Sequence, residues 1–99
     1  MKLTFRWDHP KARSNLNKHH VSFEEAKTIF NDRLLMTFPD EFHSEREARW
    51  ISIGTSSHNR VLLVVHTEWE ISADEFVVRI ISSRKVTPVE REIYEQQEA

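Results

Sequence analysis

The sequence predicts an α+β fold: a four- to five-stranded, mainly antiparallel sheet with two N-terminal helices and a C-terminal helix. Three observations carry that prediction. Four runs rich in β-branched and apolar residues follow one another between Leu34 and Ser82, joined by short polar connections that favour an antiparallel meander. Two helix-start signals, at Asp8 and Ser22, precede them, and a third at Thr87 follows. The 99 residues contain no internal repeat and no low-complexity tract, which makes residues 1–99 a single domain with one modest core.

Leu3 to Trp7 alternates apolar and polar residues and reads as a short first strand. Asp8 then caps a Lys- and Arg-rich helix from His9 to about Asn17, which breaks at Lys18, His19 and His20. Ser22 and Glu25 form a capping box, and Val21, Phe23, Ala26 and Phe30 supply the apolar face of a second helix that packs on the sheet. Leu34 to Phe38 is the next strand, closed by Pro39 and Asp40. A polar loop follows from Glu41 to Glu47, and then a strand from Trp50 to Gly54. The cluster Ser56 to Asn59 is a hairpin turn. Arg60 to Thr67 is the most apolar run and is expected at the centre of the sheet. Glu68 to Glu75 is read as an enlarged polar turn, and Phe76 to Ser82 as the last strand. Thr87, Pro88 and Glu90 then start a helix that runs to about Gln96, with threonine as cap, proline at the first helical position and Glu90 completing a capping box.

The segment from Arg79 to Tyr94 concentrates the candidate chemistry. It joins an apolar strand to a capped helix through a bend carrying Arg84 and Lys85, and a basic connection into a helix N-terminus suits an anion such as phosphate. Arg79 interrupts an apolar strand, so a buried guanidinium with a carboxylate or phosphate partner is expected there. His66 and Glu68 share one face of the central strand by their two-residue spacing, next to the Arg79 strand. Acid, base and cation converging in this way would serve ribonucleolytic cleavage: Glu68 or His66 as base, Arg79 and Arg84 on the developing phosphorane charge. An internal salt bridge is the alternative for Arg79. Trp69, in the expected turn, is the better candidate for stacking on a base, whereas Trp50 reads as core. Lys18 and His19 combine with Lys85 as further RNA contacts, against a purely helix-capping role at a helix C-terminus.

Composition sets limits. The net charge of −2 argues against coating nucleic acid by bulk electrostatics and leaves a local basic site. The absence of cysteine excludes disulfides and thiolate chemistry. The six histidines fall in separate segments without metal-ligand spacing, so neither a metal nor any other cofactor is expected. With no signal-peptide pattern and no long apolar run, the expected location is the cytoplasm, away from membranes.

Five groups of residues keep a distinctive spacing: Phe5 to Asp8 with Lys11 and Ala12; Asn15 to His19 with Val21 to Phe23 and Ala26; Asp40 with His43 and Ser44; Arg49 to Ile51 with Ile53 and Gly54; and, most specific, Arg79 to Lys85 with Thr87, Glu90, Arg91, Tyr94 and Glu95. Together they resemble the BrnT family of type II toxins. The resemblance implies a RelE-like fold and a metal-independent endoribonuclease that cleaves RNA and inhibits translation. It also implies neutralisation by a BrnA-like ribbon-helix-helix antitoxin in a hetero-oligomer. Two positions depart from the family pattern, which commonly has glycine where His20 stands and arginine where Trp69 stands. The second departure supports an alternative reading as a catalytically weakened, antitoxin-binding module of the same fold.

Overall fold

The computed structural model describes residues 1–43 and 47–98; the centre of the expected Glu41 to Glu47 loop, including Ser44, lies outside them. The chain forms β1 (Lys2–Arg6), α1 (His9–His19), α2 (Phe23–Ala26), a 3-10 turn (Lys27–Asn31), β2 (Met36–Pro39), β3 (Trp50–Thr55), β4 (Val61–Ser72), β5 (Glu75–Lys85) and α3 (Pro88–Glu95), with a final 3-10 turn (Gln96–Glu98). The α+β class stands. The sheet has five strands in the order β1-β5-β4-β3-β2. It is mixed rather than mainly antiparallel: β2 to β5 form the expected meander, but β1 runs parallel to β5, pairing Lys2 with Glu75 through Arg6 with Arg79.

The helix starts follow their local chemistry. The Asp8 carboxylate accepts from the Lys11 amide at 3.0 Å and the Ser22 hydroxyl from Glu25 N at 3.0 Å. At α3 the full reciprocal box forms between Thr87 and Glu90. The box expected at Ser22 is only half made, because the Glu25 carboxylate turns away to Arg60 and to the Ser56 hydroxyl, which pins α2 to the β3–β4 hairpin. Gly54 permits the close approach on this side: a Cβ there would lie 3.1 Å from Ile29 Cβ and 3.2 Å from its carbonyl.

Two expected boundaries move. The polar turn placed over Glu68 to Glu75 is mostly strand, since β4 continues to Ser72 and only Ala73 and Asp74 turn the chain. Arg84 and Lys85, expected on a bend, are the last two residues of β5. Both shifts have one cause: charged side chains on a solvated strand end look like loop in sequence, while the backbone ladder continues beneath them.

One face of the sheet carries α2 and the 3-10 turn that follows it. Val21, Phe23, Ala26 and Ile29 pack there on Leu62, Val64, Val78 and Ile80. β1 covers the edge of β5 only as far as Arg79. Beyond it the buried Asn15 amide takes over, donating to Ser83 O at 2.9 Å and accepting from Ser83 N at 3.0 Å, as a neighbouring strand would. On the opposite, more open face, among the described residues, Tyr94 of α3 packs with Ile53, Val61 and Leu63.

Candidate functional site

Side chains alternate along each strand, so the ladder decides which candidates share a face. His66 and Glu68 lie on the helical face. His66 is fully buried, with its ring edge-on to Phe30 at 5.1 Å, and Nε2 lies 2.7 Å from Ser52 Oγ, which is itself 2.7 Å from Thr37 Oγ1. Burial holds its pKa down at about 4, so the imidazole is neutral near pH 7. Its Nδ1 is 3.8 Å from the Glu68 carboxylate, which burial pushes up.

Arg79 pairs across the sheet with Thr67, the residue between His66 and Glu68, and therefore projects from the opposite face. The expected convergence of His66 and Glu68 with Arg79 does not occur. Nor is Arg79 buried: its side chain is 45% exposed and paired with Glu47. Arg84 shares the face of Arg79 and is gripped by α3, its Nη1 and Nη2 donating to the Glu90 carboxylate at 2.8 and 2.9 Å. That bidentate contact with Arg84 holds the Glu90 pKa at about 2. Lys85 pairs with Leu62 and points to the helical side, away from Arg84. Trp69 is a strand residue opposite Val77 rather than a turn residue, half exposed on the open face.

What the ladder does bring together is a row across all five strands of the open face. Arg6 pairs with Arg79 and Arg79 with Thr67. Trp50 pairs with His66, which sets Arg49 level with Thr67, and Asp40 N donates to Arg49 O at 2.8 Å, which sets Asp40 level with Arg49. The row thus reads Arg6, Arg79, Thr67, Arg49, Asp40. Beside it lies a groove of about 590 Å³ floored by Phe38, Ile51, Leu63 and Val65 and walled at its far side by Arg84 and Glu90. His43 stands at the Asp40 end, its Nδ1 3.1 and 3.2 Å from the two Asp40 carboxylate oxygens. His19, at the end of α1, lines the β5 end of the groove, and with Lys18 and Lys11 it also lines a shallower cavity that meets the groove at Ile81 and Ser82. Three arginines, an apolar floor and an exposed tryptophan are what an unpaired nucleic-acid strand requires: cations for phosphate and flat apolar surface for bases.

Arg6, Arg49, Asp40 and His43 were not singled out as site residues from the sequence. Counting alternate residues from a strand arginine gives the face of Arg49 only once the register is known, and Arg6 joins through a parallel pairing without local signal. The Asp-x-x-His spacing of Asp40 and His43 just after a strand was the one signal that could have been used.

The mixed sheet, the three helices and the arginines of the open face define a small α+β protein. The family model for "Ribonuclease toxin, BrnT, of type II toxin-antitoxin system" matches residues 7–90, and the chain belongs to that family. Among solved structures, the ribonuclease toxin BrnT of Brucella abortus superposes with a TM-score of 0.60 at 19% identity, over 88% of this chain and 99% of that one, a likeness of fold. No curated protein matches the sequence significantly.

Proposed function

We propose that this protein is an endoribonuclease toxin that holds single-stranded RNA on the open face of its sheet, cleaves it without a metal ion and so inhibits translation in the cytoplasm. The row Arg6, Arg79, Thr67, Arg49 and Asp40 beside an apolar groove carries the proposal, since it sets phosphate-binding cations at strand spacing across an otherwise acidic protein. Arg79 and Arg84 hold phosphate in exchange for Glu47 and Glu90, Trp69 stacks on a base, and Lys18 and His19 extend the contact beyond β5. Lys85, on the other side, adds only general positive charge. His66 and Glu68 keep the floor of the sheet in shape rather than touching RNA, because the imidazole is sealed under Phe30. Family membership implies an antitoxin partner. A BrnA-like ribbon-helix-helix protein binding as a hetero-oligomer, and a RelE-like ancestry of the fold, complete the reading.

Expression of the wild-type chain should arrest growth, and the purified protein should cleave RNA. Arg79→Ala and Arg84→Ala should each lower kcat/KM by about 10- to 100-fold, the loss of one charge-assisted contact. Intact RNA after incubation with folded wild-type protein would sink the reading. The alternative, an antitoxin-binding module with weakened catalysis, is motivated by Trp69 standing at a family arginine position, and it predicts that only Trp69→Arg cleaves RNA.

A further inference from the structure

We infer that His43, oriented by Asp40, is the group that takes the proton from the attacking ribose hydroxyl; the inference rests on the ribonuclease reading above. Three observations meet at this point. First, the Asp40 carboxylate is nearly buried while the His43 side chain is 68% exposed, so the ring is anchored at one nitrogen and open at the other. Second, both carboxylate oxygens lie within 3.2 Å of Nδ1, which makes Nδ1 the donor and fixes the neutral tautomer in which Nε2 carries the lone pair. The backbone helps: His43 N reaches back to Asp40 O at 3.4 Å, closing a turn directly after β2. Third, the dyad ends the cationic row. Asp40 is hydrogen-bonded to Arg49 through the backbone, one strand spacing of about 5 Å away, so a phosphate on Arg49 lies beside the imidazole.

The step balances without a further reactant except water. The 2′ oxygen attacks the adjacent phosphorus as its proton passes to His43 Nε2. Arg49 meets the charge that develops on the non-bridging oxygens. The bond from phosphorus to the 5′ oxygen breaks, its electron pair stays on that oxygen, and water in the open groove protonates it. The imidazolium returns its proton to the hydroxide left behind. The products are a 2′,3′-cyclic phosphate and a 5′-hydroxyl end.

Asp40 acts through His43 and is a positioning residue. The other charged groups facing the groove are Arg49, Arg84, Glu90 and His19. The side chain seen on His43 Nδ1 is that of Asp40, which therefore sets its tautomer.

The test is steady-state cleavage of a short RNA by the full chain, with the ends of the products identified. His43→Ala should lower kcat by about 100-fold or more, in the range of a lost general base, while KM and melting temperature stay within experimental scatter. Imidazole added to that variant should restore part of the rate, and should do nothing to wild type. Asp40→Asn should lower kcat by about 10-fold with KM unchanged. A 2′-deoxy residue at the cleaved position should block the wild-type reaction. Wild-type activity in His43→Ala would overturn the inference and leave the ribonuclease reading standing; a wild-type chain that cleaves no RNA removes both.

Discussion

At the scale of single residues, the sequence is most informative where backbone geometry leaves few options. His20 ends α1 in the left-handed region, with φ 59° and ψ 32°, and its amide closes the turn onto Leu16 O at 2.9 Å. A glycine would adopt that conformation without a Cβ penalty. The histidine accepts the strain of that conformation, and Arg60 donates to its carbonyl at 3.2 Å. His20→Gly should therefore raise stability by roughly 0.5–1 kcal/mol, the cost of a side chain at such a position less the extra chain entropy that glycine gives the unfolded state. Chemical denaturation would read this as a higher midpoint with an unchanged slope, and a lower midpoint would refute it. Arg79 shows the opposite case. A lone charge in an apolar run suggested burial, yet its side chain is nearly half exposed and paired with Glu47.

At the scale of elements, two polar clamps hold α3 beside the apolar packing of the Tyr94 ring. Tyr94 carries one of them: its hydroxyl lies 2.9 Å from Thr55 Oγ1 and donates to Asp32, whose carboxylate also accepts from Thr55 N at 2.8 Å and Leu34 N at 2.9 Å. Those contacts hold the Asp32 pKa below the usual range despite burial. Tyr94→Phe keeps the ring in its apolar site and removes only the hydroxyl. It should cost about 1 kcal/mol, seen as a lower melting temperature, because Asp32 retains two backbone donors. The other clamp, Arg84 with Glu90, is the groove wall itself, so α3 is both a stabilising element and a boundary of the site. Helix starts were legible in sequence because capping is local: Asp8, Ser22 and Thr87 each cap a helix, although Glu25 leaves the box at Ser22 half made. The meander was legible too, since its four strands are joined in sequence order. The parallel β1–β5 pairing was not, because Arg6 and Arg79 are distant in sequence and nothing near either residue names the other. The extension of β4 past Thr67 was hidden by Glu68 and Glu70, and the bulge between Val65 and His66 shifted the register on which the first site assignment depended. A site built across strands is legible only as far as the register is.

At the scale of the molecule, the sheet divides its titratable groups between a sealed face and an open one, and the pH dependence of stability follows from that division. On the sealed face, His66 has a folded pKa of about 4 against an ordinary 6.5, so the unfolded chain binds a proton that the folded chain refuses as pH falls between those values. Stability is full above about pH 6.5 and lost across that window, by an amount on the order of 3 kcal/mol. Glu68, raised by burial, opposes this with the other sign, but its partial exposure keeps the effect small. Glu25 and Glu90, both held at about 2 by arginine partners, contribute stability above their ordinary 4.5 that is lost only as pH falls from there toward 2. Acid unfolding should therefore proceed in two stages, histidine first and carboxylates second. Replacing His66 by glutamine keeps a hydrogen-bonding group beside Ser52 and removes the titration. Melting temperatures of wild type and His66→Gln, measured from pH 7.5 to pH 3, should diverge between pH 6.5 and 4, where only wild type falls, and run parallel below. A wild-type curve that falls no faster than the variant's across that upper window would mean that the imidazole is not sealed as the packing of Phe30 and Ser52 requires.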